Sequence, residues 1–267
     1  GEGQQLKEED IFLKKALSEF DAYLKIRAPF KIMELQGTDQ QKQKTVQEAG
    51  KEINKVYFKR TAEGSLRRSL CQFPTAAAAQ EAGMSLSEYE QFVYNACHLY
   101  ADDPVAEWLK VRKFQQIIVD HLNQCSELRY KGADFDISFE TTGRTWINSD
   151  GRNNMPSGEV FSSPVEDSVN GVVRFSYPSI YAGQEVEDIT LWVENGEVKK
   201  WEAKKGKELL DQIFSIDGTR HFGEVAIGTN YQINRFTKNI LFDEKIAGAC
   251  NISLGDAYPE VGGTNRS

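Results

Sequence analysis

The sequence predicts an α/β protein, with a mostly helical α/β first part over residues 1–130 and a β-rich second part over residues 131–267. Three observations predict it. Apolar residues of the first part recur at helical spacing, whereas from Tyr130 onward the period changes to two. Asn195-Gly196 stands between two alternating runs, the strongest short hairpin signal. The 267 residues are 40% hydrophobic and 27% charged, a globular composition with enough chain to bury a sizeable core.

Glu8-Glu9-Asp10 places acids in a first helical turn, where the helix dipole favours them. Phe12, Leu13, Ala16, Leu17, Phe20 and Leu24 then follow at helical spacing. Leu24 to Leu35 carries Ile26, Phe30 and Ile32 around Pro29, which cannot donate to a ladder, so this stretch reads as an edge or bulged strand. Gln36 to Asp39 reads as a turn, and Gln40 to Phe58, polar with spaced apolar residues, as one surface helix. Pro74-Thr75 precedes a helix over 76–82 that Gly83 ends. Ser85 or Ser87 caps a helix over 88–100, and Asp102 or Asp103 with Pro104 opens one that runs to about Leu128. Past a boundary at 130–133, Phe135, Ile137 and Phe139 alternate with polar residues, as do the neighbours of Trp146. Val172, Arg174 and Ser176 share one strand face, with Val173, Phe175 and Tyr177 on the other. Runs 189–194 and 197–202 form the hairpin, Gly206 to Phe214 is a short helix, and Trp146, Trp192 and Trp201 read as core or hairpin packing.

Charge and composition exclude several functions. With 32 basic and 40 acidic side chains the formal charge is −8, which argues against a nucleic-acid partner, since phosphate binding needs a basic face. No stretch approaches 18 consecutive apolar residues, so no membrane span is expected. Gly1 to Gln5 has neither the basic start nor the apolar core of a signal peptide. Cys71, Cys97, Cys125 and Cys250 lie far apart with no paired spacing and read as reduced thiols of a cytoplasmic protein. The histidines are only His98, His121 and His221, so any metal site leans on carboxylates.

Three segments of the second part carry such carboxylates. Residues 151–161 are a turn-rich loop that runs through Glu159 into Val160-Phe161. Residues 221–230, read as a strand, put Phe222, Glu224 and Ala226 on one face; residues 239–245 put Phe242 and Glu244 on one face. A buried carboxylate must find a cation or a proton. Three of them converging would suit a divalent metal such as Mg²⁺, Mn²⁺, Zn²⁺ or Co²⁺. The alternative is that each glutamate faces solvent or pairs with a nearby cation, for which Arg235 and Lys238 stand between Glu224 and Glu244. His221 is three residues before Glu224 and on an extended strand points to the other face; Cys250 is likewise set opposite Asn251.

The segments Asn154 to Phe161, Pro164 to Gly171, Gly223 to Asn230 and Leu241 to Lys245, with Gln80 to Ser85 in the helical part, resemble in order the thermophilic metallo-aminopeptidase family, the aminopeptidase T, aminopeptidase S and PepS group. The resemblance covers most of residues 20–267 and implies a β-rich metal-binding domain of that type. It implies an exopeptidase that hydrolyses the N-terminal bond of peptides through a water activated by two divalent ions (Zn, Co or Mn). A homodimer is implied by the same analogy. By position, Glu159 resembles a ligand of one metal, Glu224 the carboxylate bridging both, Glu244 a ligand of the second, and Tyr258 the catalytic tyrosine. The chain departs from the pattern at Asn251, where the family has a metal-binding histidine. A His and an Asp that complete the family's site are expected past Ser267, and additional α/β structure before Phe12, so that both parts read as incomplete. Weak or no turnover by this polypeptide follows, with a non-catalytic dimerising or binding scaffold as the alternative.

Overall fold

The structure is a computed structural model that describes residues 3–31, 38–181, 184–216 and 218–265. Expectations that fall on 32–37, including Ile32, Leu35 and the Gln36-Gly37 half of a turn, lie outside the described residues. In the first part, Asp10 is a cap rather than a first-turn acid. Its carboxylate accepts from Phe12 N at 3.1 Å and Leu13 N at 2.9 Å at the head of α1 (Ile11–Glu19). The backbone is already extended at Phe20, so Leu24 belongs not to this helix but to β1 (Ala22–Arg27). The single surface helix expected over 40–58 is two, α2 (Gln40–Ala49) and α3 (Lys51–Ala62), parted at Gly50, a poor helix former. β2 (Arg67–Gln72) was not expected, because its polar run RRSLCQ shows no alternation.

Thr75 caps α4 (Ala76–Glu81), accepting from Ala78 N at 3.2 Å. Ser85 and Glu88 form a reciprocal capping box at the start of α5 (Leu86–Ala96). Asp103 caps α6 (Pro104–Leu122), which begins on Pro104. α6 stops six residues short of Leu128, at the C-cap Asn123, whose side chain accepts from Trp146 N at 2.8 Å.

The second part is antiparallel. β3 (Glu127–Lys131), β4 (Asp136–Glu140), β8 (Asn170–Arg174), β11 (Thr190–Glu194) and β12 (Glu197–Glu202) form a five-stranded sheet in the order 12-11-8-4-3. β5 (Ile147–Ser149), β7 (Glu159–Ser162), β13 (Phe222–Gly228) and β14 (Cys250–Leu254) form a four-stranded sheet in the order 14-13-7-5. β9 (Ser179–Tyr181) and β10 (Gln184–Val186) make a small ribbon. β6 (Asn154–Met155) instead joins β1 and β2 in a three-stranded parallel sheet, so the loop before Glu159 is anchored in the first part. β8 ends at Arg174, short of the expected Ser176 and Tyr177. The hairpin turns at Asn195-Gly196 as expected; a Cβ at Gly196 would collide with the Glu166 carbonyl, and its φ is +77°. α7 (Lys207–Ile213), α8 (Ile240–Asp243) and two 3₁₀ turns, Gln5–Lys7 and Pro259–Val261, complete the described elements.

One core lies between the two large sheets, α6 and α7. It holds Trp146, Phe139, Val160, Phe222 and Val225, all 2% exposed or less. Burial at this level contributes about 1.5–3 kcal/mol per large apolar side chain. A second core joins α4 and α5 to Ile233, Leu241 and Phe242, with Phe242 against Phe92 at 5.3 Å between ring centroids. Leu17, Ile53 and Leu66 form a third under α1 and α3. Trp192 lies under Lys200 and Trp201 against Phe214. Among the described residues, no helix is long and apolar enough to cross a membrane.

Candidate metal centre

The four-stranded sheet has two faces, and its register decides which residues meet. Ala226 pairs with Phe161 and Asn251, and Gly228 with Glu159. Val225 pairs with Ser162 and Ile252, and Ile227 with Val160 and Cys250. Because side chains alternate, Val160, Val225, Ile227, Ile252 and Leu254 face the core, while Glu159, Phe161, Glu224, Ala226 and Asn251 share the opposite face. Phe222 was expected beside Glu224. The structure corrects this, because the register shifts by one residue between them at Gly223. The bulge sends Phe222 into the core and leaves Glu224 on the site face.

Glu159 is held from behind by a residue with no signal in the sequence. Gln115, on α6, is wholly buried, and its amide donates to the Glu159 carbonyl at 2.9 Å, the Ser149 carbonyl at 3.0 Å and Asn148 Oδ1 at 2.8 Å. Its own oxygen accepts from Thr229 Oγ1 at 3.2 Å. One helix side chain thereby fixes the start of β7 and the end of β13. Asn230 adds a second tie, donating to the Ser157 carbonyl at 2.8 Å and to the Ala96 carbonyl at 3.0 Å.

Glu244 arrives differently from the expectation. Residues 239–245 are not a strand. Asn239 caps the short α8 by accepting from Leu241 N at 3.1 Å, and Asp243 accepts from Thr237 N and Oγ1 at 2.8 and 2.9 Å. Phe242 then turns into the helical core, while Glu244, at the C-cap, turns to the sheet. Gly228 permits this approach, since a Cβ there would strike the Ile246 carbonyl.

The cation among these glutamates is Lys245, not Arg235 or Lys238. Lys245 is wholly buried, its Nζ lies 3.2 Å from Glu159 Oε1, and it also pairs with Glu244. Lys238 pairs with Glu185 at 2.9 Å, and Arg235 lies toward Glu88. Lys245 was legible as part of the Leu241–Lys245 motif, yet nothing in a lysine beside a glutamate announces burial. Burial alone would lower its ammonium, and the two carboxylates more than reverse that.

The glutamates feel one another. Burial, with Glu244 beside it, pushes Glu159 up to about 7 against the pull of Lys245. Burial and the charges of Glu159 and Glu244 push Glu224 up to about 8. Among the described residues Glu159 Oε2 has no hydrogen-bond partner, although it is buried. Tyr258 stands over this group with its ring edge-on to Phe161 at 5.4 Å. Burial and the three carboxylates hold its hydroxyl protonated far above the ordinary tyrosine range, while Arg68 pulls the other way. Asn251 lies on the site face but gives its amide hydrogen to the Glu244 carbonyl. A cavity of about 750 Å³ opens beside Glu244 and Asn251, walled in part by Tyr89, Phe135 and Phe175.

The remaining candidates lie elsewhere. His221 precedes β13 and lies near Glu197; His98 sits edge-on to Trp108 at 5.3 Å; His121 is in the last turn of α6. Cys250 pairs with Ile227, across the sheet from Asn251.

The donor set suits hard divalent cations. It offers three carboxyl groups and, among the described residues, one buried carboxyl oxygen without a hydrogen-bond partner. The glutamates are near one another without closing on one point, since among the described residues no three His, Cys, Asp or Glu side chains are grouped as a finished cage. Lys245 pairs with two of them, Glu159 and Glu244.

Comparison with known proteins gives a consistent result. The profile of the thermophilic metalloprotease (M29) family matches residues 3–267. Aminopeptidase 2 of Geobacillus stearothermophilus is 32% identical over 214 residues, 72% of this chain and 51% of that protein. Aminopeptidase AmpS of Bacillus subtilis (strain 168) is 31% identical over 182 residues, 62% of this chain and 44% of that protein. The chain thus spans about half the length of the curated relatives it matches. The solved structure of wild-type AmpT from Thermus thermophilus superposes with a TM-score of 0.82 at 24% identity, covering 100% of this chain and 74% of that one, which shows the shared fold.

Proposed function

The chain belongs to the thermophilic metalloprotease (M29) family, and from that premise we propose that it is a metal-dependent aminopeptidase hydrolysing the N-terminal bond of peptides with two divalent ions. The observation that carries this reading is the approach of Lys245 to Glu159 and Glu244, with Glu224 on the same sheet face as Glu159 and near enough to both for their charges to act on it. Glu159, Glu224 and Glu244 would hold Zn²⁺, Co²⁺ or Mn²⁺, with Glu224 as the shared ligand. When bound, such ions supply Lewis-acid polarisation of a carbonyl and acidify a water.

The chain's own residues do the rest. Gln115 and Lys245 keep Glu159 in register with Glu224. Phe161 orients Tyr258, whose hydroxyl, kept protonated, donates a hydrogen bond to the oxyanion that develops on the scissile carbonyl. The aromatic-walled cavity beside Glu244 takes the side chain of the peptide's first residue. We place the protein in the cytoplasm as a homodimer; sedimentation of the purified chain checks the dimer, and fractionation of the source cells checks the location.

The activity test is release of free amino acids from a peptide panel with added Zn²⁺, Co²⁺ or Mn²⁺. Turnover is expected to require the ion and to vanish in Glu224→Gln. Undiminished turnover in that variant would remove Glu224 from the mechanism. A second reading, a non-catalytic dimerising or binding scaffold, is favoured by one observation: Asn251 spends its amide on the Glu244 backbone. No turnover of any peptide by a chain that still dimerises would select it.

A further inference from the structure

The positive charge between two of the three glutamates is one that the chain itself supplies. Lys245 is wholly buried, with its ammonium between Glu159 and Glu244. Its backbone is fixed on both sides. Lys245 N donates to the Phe242 carbonyl at 2.9 Å, and the Lys245 carbonyl accepts from Asn230 N at 3.0 Å. A buried ammonium is costly to desolvate and persists only when well paired. Two carboxylates pair it here, while Glu159 Oε2 remains buried with no hydrogen-bond partner among the described residues.

We propose that Lys245 is the built-in counter-cation of this centre: it binds the carboxylates together on its own and shares Glu159 and Glu244 with an entering divalent cation, so that the cation is held weakly and exchanges. The inference rests on reading the glutamates as a metal centre. Two effects of the lysine oppose each other. By orienting Glu159 and Glu244 it helps a cation, a positioning effect of about 10–100-fold at such sites. By repelling a divalent ion a few ångströms away in a medium of low dielectric, it hinders the cation more. Repulsion wins, so removing the ammonium tightens cation binding.

The test is Mn²⁺ titration of the purified chain and of Lys245→Met by calorimetry, with thermal unfolding of both in EDTA. The expected result is a dissociation constant lower by about tenfold or more in Lys245→Met. Its unfolding temperature in EDTA is expected to fall below that of the parent, because the carboxylates have lost their partner. A folded Lys245→Met that binds Mn²⁺ no more tightly than the parent overturns the proposal. If the parent binds Mn²⁺ in that case, the metal-centre reading survives; if neither binds, both fail. Should Lys245→Met not fold, Lys245→Met/Glu159→Gln is compared with Glu159→Gln alone. Tighter binding by the double variant supports the proposal, and equal or weaker binding overturns it.

Discussion

Gln115 and Glu224 show two ways in which a single polar side chain sets the behaviour of the site. The two N–H hydrogens of the Gln115 amide are shared among three acceptors, of which the Glu159 carbonyl is buried, so replacing Gln115 with leucine takes a buried donor from the start of β7. Gln115→Leu is expected to cost about 2–3 kcal/mol in a urea unfolding experiment. A loss too small to measure would mean that β7 is held by its strand partners alone. Glu224 acts through charge. Its folded pKa, about 8, stands above the ordinary carboxylate value, so the folded state holds a proton that the unfolded chain releases. The stability this confers is fully present below the unfolded pKa and is lost as pH rises toward 8. In chelator, the unfolding temperature should therefore fall between the ordinary carboxylate range and pH 8, and Glu224→Gln should flatten that slope. An unchanged slope would place the titrating group elsewhere. Glu159, Glu224 and Glu244 stood out in the sequence as carboxylates with apolar neighbours nearby, and the family resemblance of their segments gave each its expected role. Gln115 and Lys245 did not, because their importance lies in burial that only the packing of α6 and α8 against the sheet creates.

At the scale of elements, the site depends on backbones approaching closely where a side chain would intrude. Gly228 faces Glu159 across the β7–β13 pair and lies under the Ile246 carbonyl. Gly228→Ala should push the segment after α8 off the sheet, cost about 1–3 kcal/mol and separate Lys245 from Glu159. Unfolding curves together with Mn²⁺ affinity measure both, and a variant that keeps parental stability would contradict the close approach. The hairpin at Asn195-Gly196, the helix caps at Ser85 (or Ser87) and Asp103 (or Asp102), and the short α7 were legible because each depends on a local residue chemistry. The strand β2, the bulge at Gly223 and the helical state of residues 240–243 were not. β2 takes its shape from parallel partners far along the chain, and the bulge from the pairing of β13 with β14. The Asn239 cap that makes α8 helical competes with an apolar run that reads equally well as a strand.

Across the whole molecule, the two parts distinguished by period meet at the site. Strand β6 from the second part extends the parallel sheet of the first, and Ile233, Leu241 and Phe242 complete the core of α4 and α5. Phe242 therefore couples the helical core to Glu244. Phe242→Ala is expected to cost about 3–5 kcal/mol and to weaken cation binding together with stability. The central claim is that Glu159, Glu224 and Glu244 hold divalent cations, and the most direct measurement is metal content. The chain, dialysed against Zn²⁺, Co²⁺ or Mn²⁺ and freed of excess, is analysed beside Glu224→Gln. Bound ions in the parent chain and their loss in Glu224→Gln are the predicted result. A parent chain that keeps no ions, or a Glu224→Gln variant that keeps them all, would contradict it.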